Sequence, residues 1–293
     1  MLQSHYQVQF IESILADSLG GDAPLQDFQF LYCGNFNLAA RVTTKKGKYF
    51  IKWNKGDHEG MFESEAKSME LIRATNTIFV PKVYGYGKKT DGAYLMLDFV
   101  AESKKKPDFW ENFGHKLAEL HSNTSDKHGL HFNNYIGSLR QINDFTEDGI
   151  QFYLDKRLSW QLDRAYKAKI VDYKLYIDLN NLFSKIPSLF PNEKPSLLHG
   201  DLWAGNMMVA NNGQAALVDP STYYGLREAE IAYTTLFGGF KNRFYEAYNE
   251  IKPLEPGFKD RIDLYNLYPL LAHTNLFGGS YLESIKRIVK KYI

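Results

Sequence analysis

Two stretches hold residue types that could do chemistry together. "LLHGDLWAGNMMV" (197–209) sets a His, an Asp, a Trp and an Asn between two apolar runs, and "ALVDP" (216–220) follows. Asp201 and Asn206 are five positions apart, and Asp219 lies thirteen beyond Asn206. An Asx-rich turn accounts for Asp201 and Asn206. It does not account for an aspartate closing the apolar run "AALVD". Two carboxylates and an amide at these spacings suit the transfer of a phosphoryl group from a nucleotide. In that reaction the moving group carries dispersed negative charge through a loose transition state, so catalysis is mainly positioning and charge neutralisation. An Asp must orient the acceptor hydroxyl and take its proton. Mg²⁺ needs hard oxygen ligands. Asp201 is the candidate base, and Asn206 and Asp219 are the candidate metal ligands. His199, two positions before the base, is read as structural, bonding the loop backbone.

The same chemistry needs a cation on the nucleotide phosphates and a carboxylate to hold that cation. Lys52 in "KYFIKWN" alternates with aromatic and aliphatic neighbours, which puts it on one face of a strand. Taken alone it would be a strand lysine reaching for solvent. Beside the 197–220 motif it is the candidate phosphate ligand. Glu65 in "FESEAKSMELI" is the first choice for its partner. Glu63 is the second, since two residues along a helix do not share a face. A phosphate-covering turn is expected at "YCGNFN" (32–37), where Gly34 stands alone rather than in a glycine-rich repeat. Cys33, the sole cysteine, falls in that turn and excludes an intrachain disulfide.

The elements that would carry these residues change character along the chain. Residues 5–20 have helical apolar spacing and end in glycine. Residues 28–54 alternate around "KKGK" and read as a hairpin or meander. Residues 60–76 read as a helix with Glu63 and Lys67 paired on one face, and 80–100 as two strands around "KKTDG". "ESKKKPD" (102–108) is a charged crossing point. After it, 109–123, 150–169, 173–186 and the tail, including "REAEIAYTTLFGGF", are helical in pattern. The expectation is an α+β chain. Residues 1–98 form a small, mostly β nucleotide-binding lobe with one prominent helix, and 99–293 a larger, mostly helical lobe for catalysis and substrate.

Bulk properties narrow the function further. The chain has 293 residues, 44% hydrophobic and 24% charged, with net charge +1. That suits a folded protein with a sizeable core and argues against a nucleic-acid surface. No apolar run approaches the roughly 20 residues that span a bilayer, and the first residues lack a secretory pattern. A cytoplasmic protein that binds neither nucleic acid nor membrane, monomeric or weakly dimeric, is expected.

"LLHGDLWAGNMMV…ALVDPSTYYGLREAEIA" resembles the signature of the fructosamine (ketosamine) kinase family, in the aminoglycoside-phosphotransferase-like branch of the protein-kinase-like fold. H-G-D-x4-N marks the branch, and the Trp of "GDLWAGN" with "DPSTYYGLRE" narrows it to the family. "MFESEAKSMELI", "VPKVYGYG", "KLAELH" and "LFGGF" follow in the family's order, so the likeness covers nearly the whole chain. The resemblance implies a bilobal fold with ATP between the lobes and phosphorylation of the 3-hydroxyl of ketosamines, free or on protein lysines. The 3-phosphate is unstable, so the amine is regenerated. It implies Asp201 as base, Asn206 and Asp219 on Mg²⁺, and Lys52 with Glu65 in the nucleotide lobe. It makes Met96 to Val100 a hinge offering backbone groups of Asp98 and Val100 to adenine. It sets Trp203 against the ketosamine, with Arg227 and Glu228 shaping the acceptor side. The chain departs from the family at Glu230, where many relatives have Asp, at Ser221, where Ala is usual, and in the few glycines around Gly34.

Two other readings compete. An aminoglycoside kinase wants an acidic acceptor pocket, and 221–293 holds 8 acidic against 10 basic residues; a choline kinase wants an aromatic cage. A nucleotide-binding pseudokinase scaffold predicts the loss of a base, metal ligand or lysine, and Lys52, Asp201, Asn206 and Asp219 are all present.

Overall fold

The computed structural model describes residues 2–21, 23–32, 37–55, 60–90 and 92–293, with side chains from residue 6 onward. Cys33 and Gly34 lie outside these residues. The chain divides into two compact units, 1–106 with 208–219, and 107–207 with 220–293.

The first unit is built on a five-stranded antiparallel sheet. Its strands are β1 (Leu25–Leu31), β2 (Leu38–Thr44), β3 (Gly47–Asn54), β4 (Val83–Lys89) and β5 (Gly92–Asp98), in the order β1-β2-β3-β5-β4. The two-residue period of β3 sorts its side chains between the faces. Tyr49, Ile51 and Trp53 join Phe10, Ile11, Ile14 and Leu15 of helix α1 (Leu2–Leu19) in one apolar cluster. Lys52 therefore points to the other face. There it meets helix α2 (Met61–Ala74), whose Phe62, Ala66, Met69 and Ile72 are buried. Glu63 and Lys67 pair at 2.7 Å on the exposed side of α2. The turn from β4 to β5 needs glycine at Gly92: its φ is +137°, and a side chain would collide with the Asn54 carbonyl. The strand Ala215–Leu217, paired with Met207–Val209, belongs to this unit from residue 208 on and is bridged to Phe79 through Ala216.

The second unit is mainly helical. Helix α3 (Phe109–His121) packs along the helix Asn242–Ile251. The 20-residue helix Phe258–Phe277 supports the short helix Arg227–Tyr233. The 150–169 pattern, expected as one helix, is interrupted by a π-helical segment over Leu154–Ser159. The widened turn goes with the burial of Arg157. Its guanidinium is fully buried, donates to the Ile142 carbonyl and Asn143 Oδ1, and lies 4.0 Å from the Tyr223 ring. Among the described residues, no helix is long and apolar enough to cross a membrane.

Candidate active site

In the first unit, Lys52 bridges two carboxylates. Its Nζ lies 2.8 Å from Glu65 Oε2 and 2.7 Å from Asp219 Oδ1, and its side chain is only 2% exposed. Strand alternation brings Lys52 to this face, and Glu65 occupies the facing turn of α2. Glu63, the second choice, points away to Lys67. Asp219 stands two residues past the strand Ala215–Leu217 in a left-handed conformation, φ +55°. Such backbone strain in a non-glycine residue collects at functional positions. Its side chain remains 45% exposed. One ammonium between two carboxylates leaves the cluster with an excess of negative charge. Burial pushes Glu65 up to about 7; the Lys52 charge opposes this and Asp219 reinforces it.

On β5, Met96 is fully buried in the sheet core. The N–H of Asp98 donates to the Lys82 carbonyl at 2.9 Å, and Asp98 Oδ2 accepts the Lys82 N–H.

In the second unit, the 197–206 segment is held from several sides. Gly200 has φ +86°, and a side chain there would collide with the Ser221 carbonyl. His199 is buried, its Nδ1 accepts the Asp201 N–H at 3.3 Å, and its carbonyl accepts the Ser221 N–H at 2.8 Å. Asn206 Nδ2 donates to both the carbonyl and Oδ2 of Asp201, at 2.8 and 2.9 Å. This spends the amide nitrogen on Asp201 and leaves the carbonyl oxygen as the amide's acceptor.

Three residues not singled out as site residues take part. Glu230, buried, accepts the N–H of Gly200 at 2.6 Å and of His199 at 3.1 Å. Its other partner is His121 Nε2 at 2.9 Å, and His121 Nδ1 meets the Tyr248 hydroxyl at 2.8 Å. Burial lowers the His121 pKa, with Glu230 opposing, so the ring is neutral and donates from Nε2. Burial would raise the Glu230 pKa, but the His121 bond and the Gly200 N–H outweigh it and hold the carboxyl below its ordinary range. Tyr233, one turn after Glu230, donates its hydroxyl to Asp201 Oδ1 at 2.8 Å. The sequence signal for Glu230 and Tyr233 was an acid and a phenol in the short helix "REAEIAY", which spacing alone does not separate from ordinary helix residues.

Trp203 is half-buried rather than a core residue. Its ring covers Gly205 and meets Phe237 edge-on at 5.6 Å. Arg227 and Glu228 are placed in buried ion pairs. Arg227 binds Glu193 and the carbonyls of Lys252 and Pro253. Both oxygens of Glu228, which is 0% exposed, are taken by Arg261.

A family model described as fructosamine kinase matches residues 7–293. A probable ketoamine kinase of Vibrio parahaemolyticus is 37% identical over 97% of this chain and 99% of its own length. A chloroplastic protein-ribulosamine 3-kinase of Arabidopsis thaliana is 38% identical over 89% of this chain and 80% of its own. The crystal structure of a candidate fructosamine-3-kinase from Haemophilus somnus superposes with a TM-score of 0.87 at 30% identity, covering 97% of this chain and 96% of the other. Spectinomycin phosphotransferase, solved with ADP and spectinomycin, superposes with a TM-score of 0.58 at 16% identity, covering 97% and 93%, and shares the protein-kinase-like fold.

Proposed function

The chain belongs to the fructosamine kinase family, and we propose that it is an ATP-dependent phosphotransferase acting on the 3-hydroxyl of ketosamines, with the residues above in the following roles. The observation that carries the assignment is Lys52, buried and gripped by Glu65 and Asp219. A buried ammonium so held is preorganised for phosphate oxygens. Backbone groups of Asp98 and Val100 receive adenine, while the Met96 side chain stays packed in the α1 face of the sheet.

Asp201 orients the sugar hydroxyl and accepts its proton as the oxygen attacks the γ-phosphorus. The O3–P bond forms, the bond to the β-bridging oxygen breaks, and ADP leaves with the electron pair. Asp201 then returns the proton to solvent. Asn206 and Asp219 offer the hard oxygens that suit Mg²⁺, an amide carbonyl and a half-exposed carboxylate. The ion, when bound, neutralises phosphate charge. Trp203 gives the sugar ring an apolar face. Arg227 and Glu228 shape the acceptor side indirectly, by fixing the helix that also carries Glu230 and Tyr233. The acceptors are ketosamines on small amines or on protein lysines. The product decomposes and releases the amine, and a cytoplasmic setting suits such repair.

The test is ATP consumption with Mg²⁺ against a ribulosamine, a fructosamine, an aminoglycoside and choline, with Asp201→Asn alongside. Turnover of ketosamines alone is expected, falling by about 10²–10⁴-fold in the variant. Turnover of the aminoglycoside or choline instead would move the protein to a sister activity. ATP binding without turnover of any acceptor would indicate a pseudokinase.

A further inference from the structure

We propose that Tyr233 is a positioning residue for Asp201: its phenol holds the Oδ1 edge of the carboxylate while Asn206 holds Oδ2, so the base meets the acceptor hydroxyl in one orientation. The inference rests on the reading of Asp201 as the base. Asp201 is half-exposed, and the terminal torsion of an aspartate is soft, with a broad range of accessible angles. A single donor would leave the carboxylate plane free to swing. Donors on separate oxygens, at 2.8 Å from Tyr233 and 2.9 Å from Asn206, remove that freedom.

The phenol suits the task. Tyr233 is 3% exposed, and its ring meets Phe237 and His273 edge-on at 6.5 and 6.4 Å. Burial raises its pKa well above 10, and the Asp201 charge pushes the same way, so the hydroxyl stays protonated and can only donate to the carboxylate. Its place on the helix matters as much. Glu230 and Tyr233 are three residues apart and share one face. The first grips the backbone N–H groups of His199 and Gly200, the second the side chain of Asp201. One helical turn thus sets both the path of the loop and the angle of its carboxylate. A donor on Oδ1 also makes Asp201 a weaker base. In a loose transition state, orientation of the nucleophile outweighs basicity.

Tyr233→Phe removes one oxygen and keeps the ring. The expected result is a fall in kcat for the ketosamine of roughly ten- to a hundredfold, the size of a hydrogen bond to a charged group. The KM for ATP and the Tm should hardly move. Because Tyr233 acts through Asp201, adding Tyr233→Phe to Asp201→Asn should cost less than about twofold more. Unchanged kcat in Tyr233→Phe would overturn the proposal. So would losses that multiply in the double variant, or an ATP KM that climbs in step with the fall in kcat. Full activity in Asp201→Asn alone would instead remove the base assignment on which the proposal stands.

Discussion

The carboxylate of Glu230 accepts the backbone N–H of Gly200 at 2.6 Å, and through it a buried helix fixes the loop that carries Asp201. The same carboxylate holds the His199 N–H and His121. Glu230→Ala leaves two buried backbone donors and one neutral imidazole donor without this acceptor. A buried donor left unsatisfied costs about 1–3 kcal/mol. Chemical denaturation should show a loss of that order. In protein that remains folded, kcat should fall while the ATP KM is spared, since Lys52, the proposed phosphate ligand, lies in the other unit. A variant as stable and as active as the parent would show that the loop is fixed by other bonds.

His121 makes stability depend on pH. Burial holds its folded pKa below the ordinary value, so the unfolded chain takes up a proton near pH 6.5 that the folded chain refuses. The unfolded state then binds more protons, and stability falls as pH drops below about 6.5. His128 and His273, also lowered by burial, act in the same direction. Glu65, raised to about 7, opposes them, because its folded form holds a proton that the unfolded form releases. Comparing unfolding free energies at pH 7.5 and 5.5 in the parent and in His121→Asn isolates the first contribution. The variant should lose up to about 1.4 kcal/mol per pH unit of the acid slope. Identical slopes would count against a neutral buried imidazole.

The placement of Lys52 was legible because it depends on local rules. Alternation along β3 set the face of Lys52, and of the two glutamates offered for it on α2 the first choice, Glu65, is the one it meets at 2.8 Å; its second partner, Asp219 at 2.7 Å, was expected only as a metal ligand. Glu230, His121 and Tyr233 were not legible as partners of the 197–206 loop. His121 is 109 residues from Glu230, and Tyr233 is 32 from Asp201. No local spacing encodes such contacts, and a buried polar residue in a helix looks the same whether it caps a loop or fills a core. The π-helical turn at Leu154–Ser159 was hidden for a similar reason. Arg157 reads as a surface residue of an amphipathic helix, yet Asn143 and the Tyr223 ring draw it inside. Residues 208–219 carry no compositional mark of their place in the first unit, which is set by three-residue strands and the bridge to Phe79.

Lys52→Met tests the proposed phosphate-binding role of the Lys52–Glu65–Asp219 cluster. It leaves Glu65 and Asp219 facing each other without the cation between them. Catalytic efficiency toward ATP should fall by about 10²–10³-fold, as for loss of a preorganised charge-stabilising donor. Lys52→Arg should not restore it. The slot is 2% exposed and shaped for a compact ammonium rather than a planar fork. Steady-state rates at varied ATP check both. Near-normal efficiency in the methionine variant would remove Lys52 from the phosphate site.

Glu228 separates direct from indirect shaping of the acceptor side. Both of its oxygens are held by Arg261, at 2.8 and 2.7 Å, and Glu255 N–H approaches Oε1 at 3.2 Å. Glu228→Gln should therefore lower stability by about 3 kcal/mol, as when one side of a buried ion pair is lost. The ketosamine KM of the surviving folded protein should be unchanged. A KM rise without a stability loss would put Glu228 in contact with the substrate.

Trp203 makes the opposite prediction. It is half-buried and packs only part of its ring, over Gly205 and against the edge of Phe237. Phe237 is itself 38% exposed and sits at φ +54°, a strained position for a bulky residue. Two rings held partly open beside the Asp201 loop offer an apolar face to a sugar and its amine substituent. Trp203→Ala should raise the ketosamine KM about tenfold, the size of a lost ring contact with its buried area. The ATP KM should stay the same and the Tm should shift little. Rates measured with a small-amine ketosamine and with a glycated protein would show which acceptor uses the ring more. An unchanged KM for both, with a large drop in Tm, would return Trp203 to a packing role.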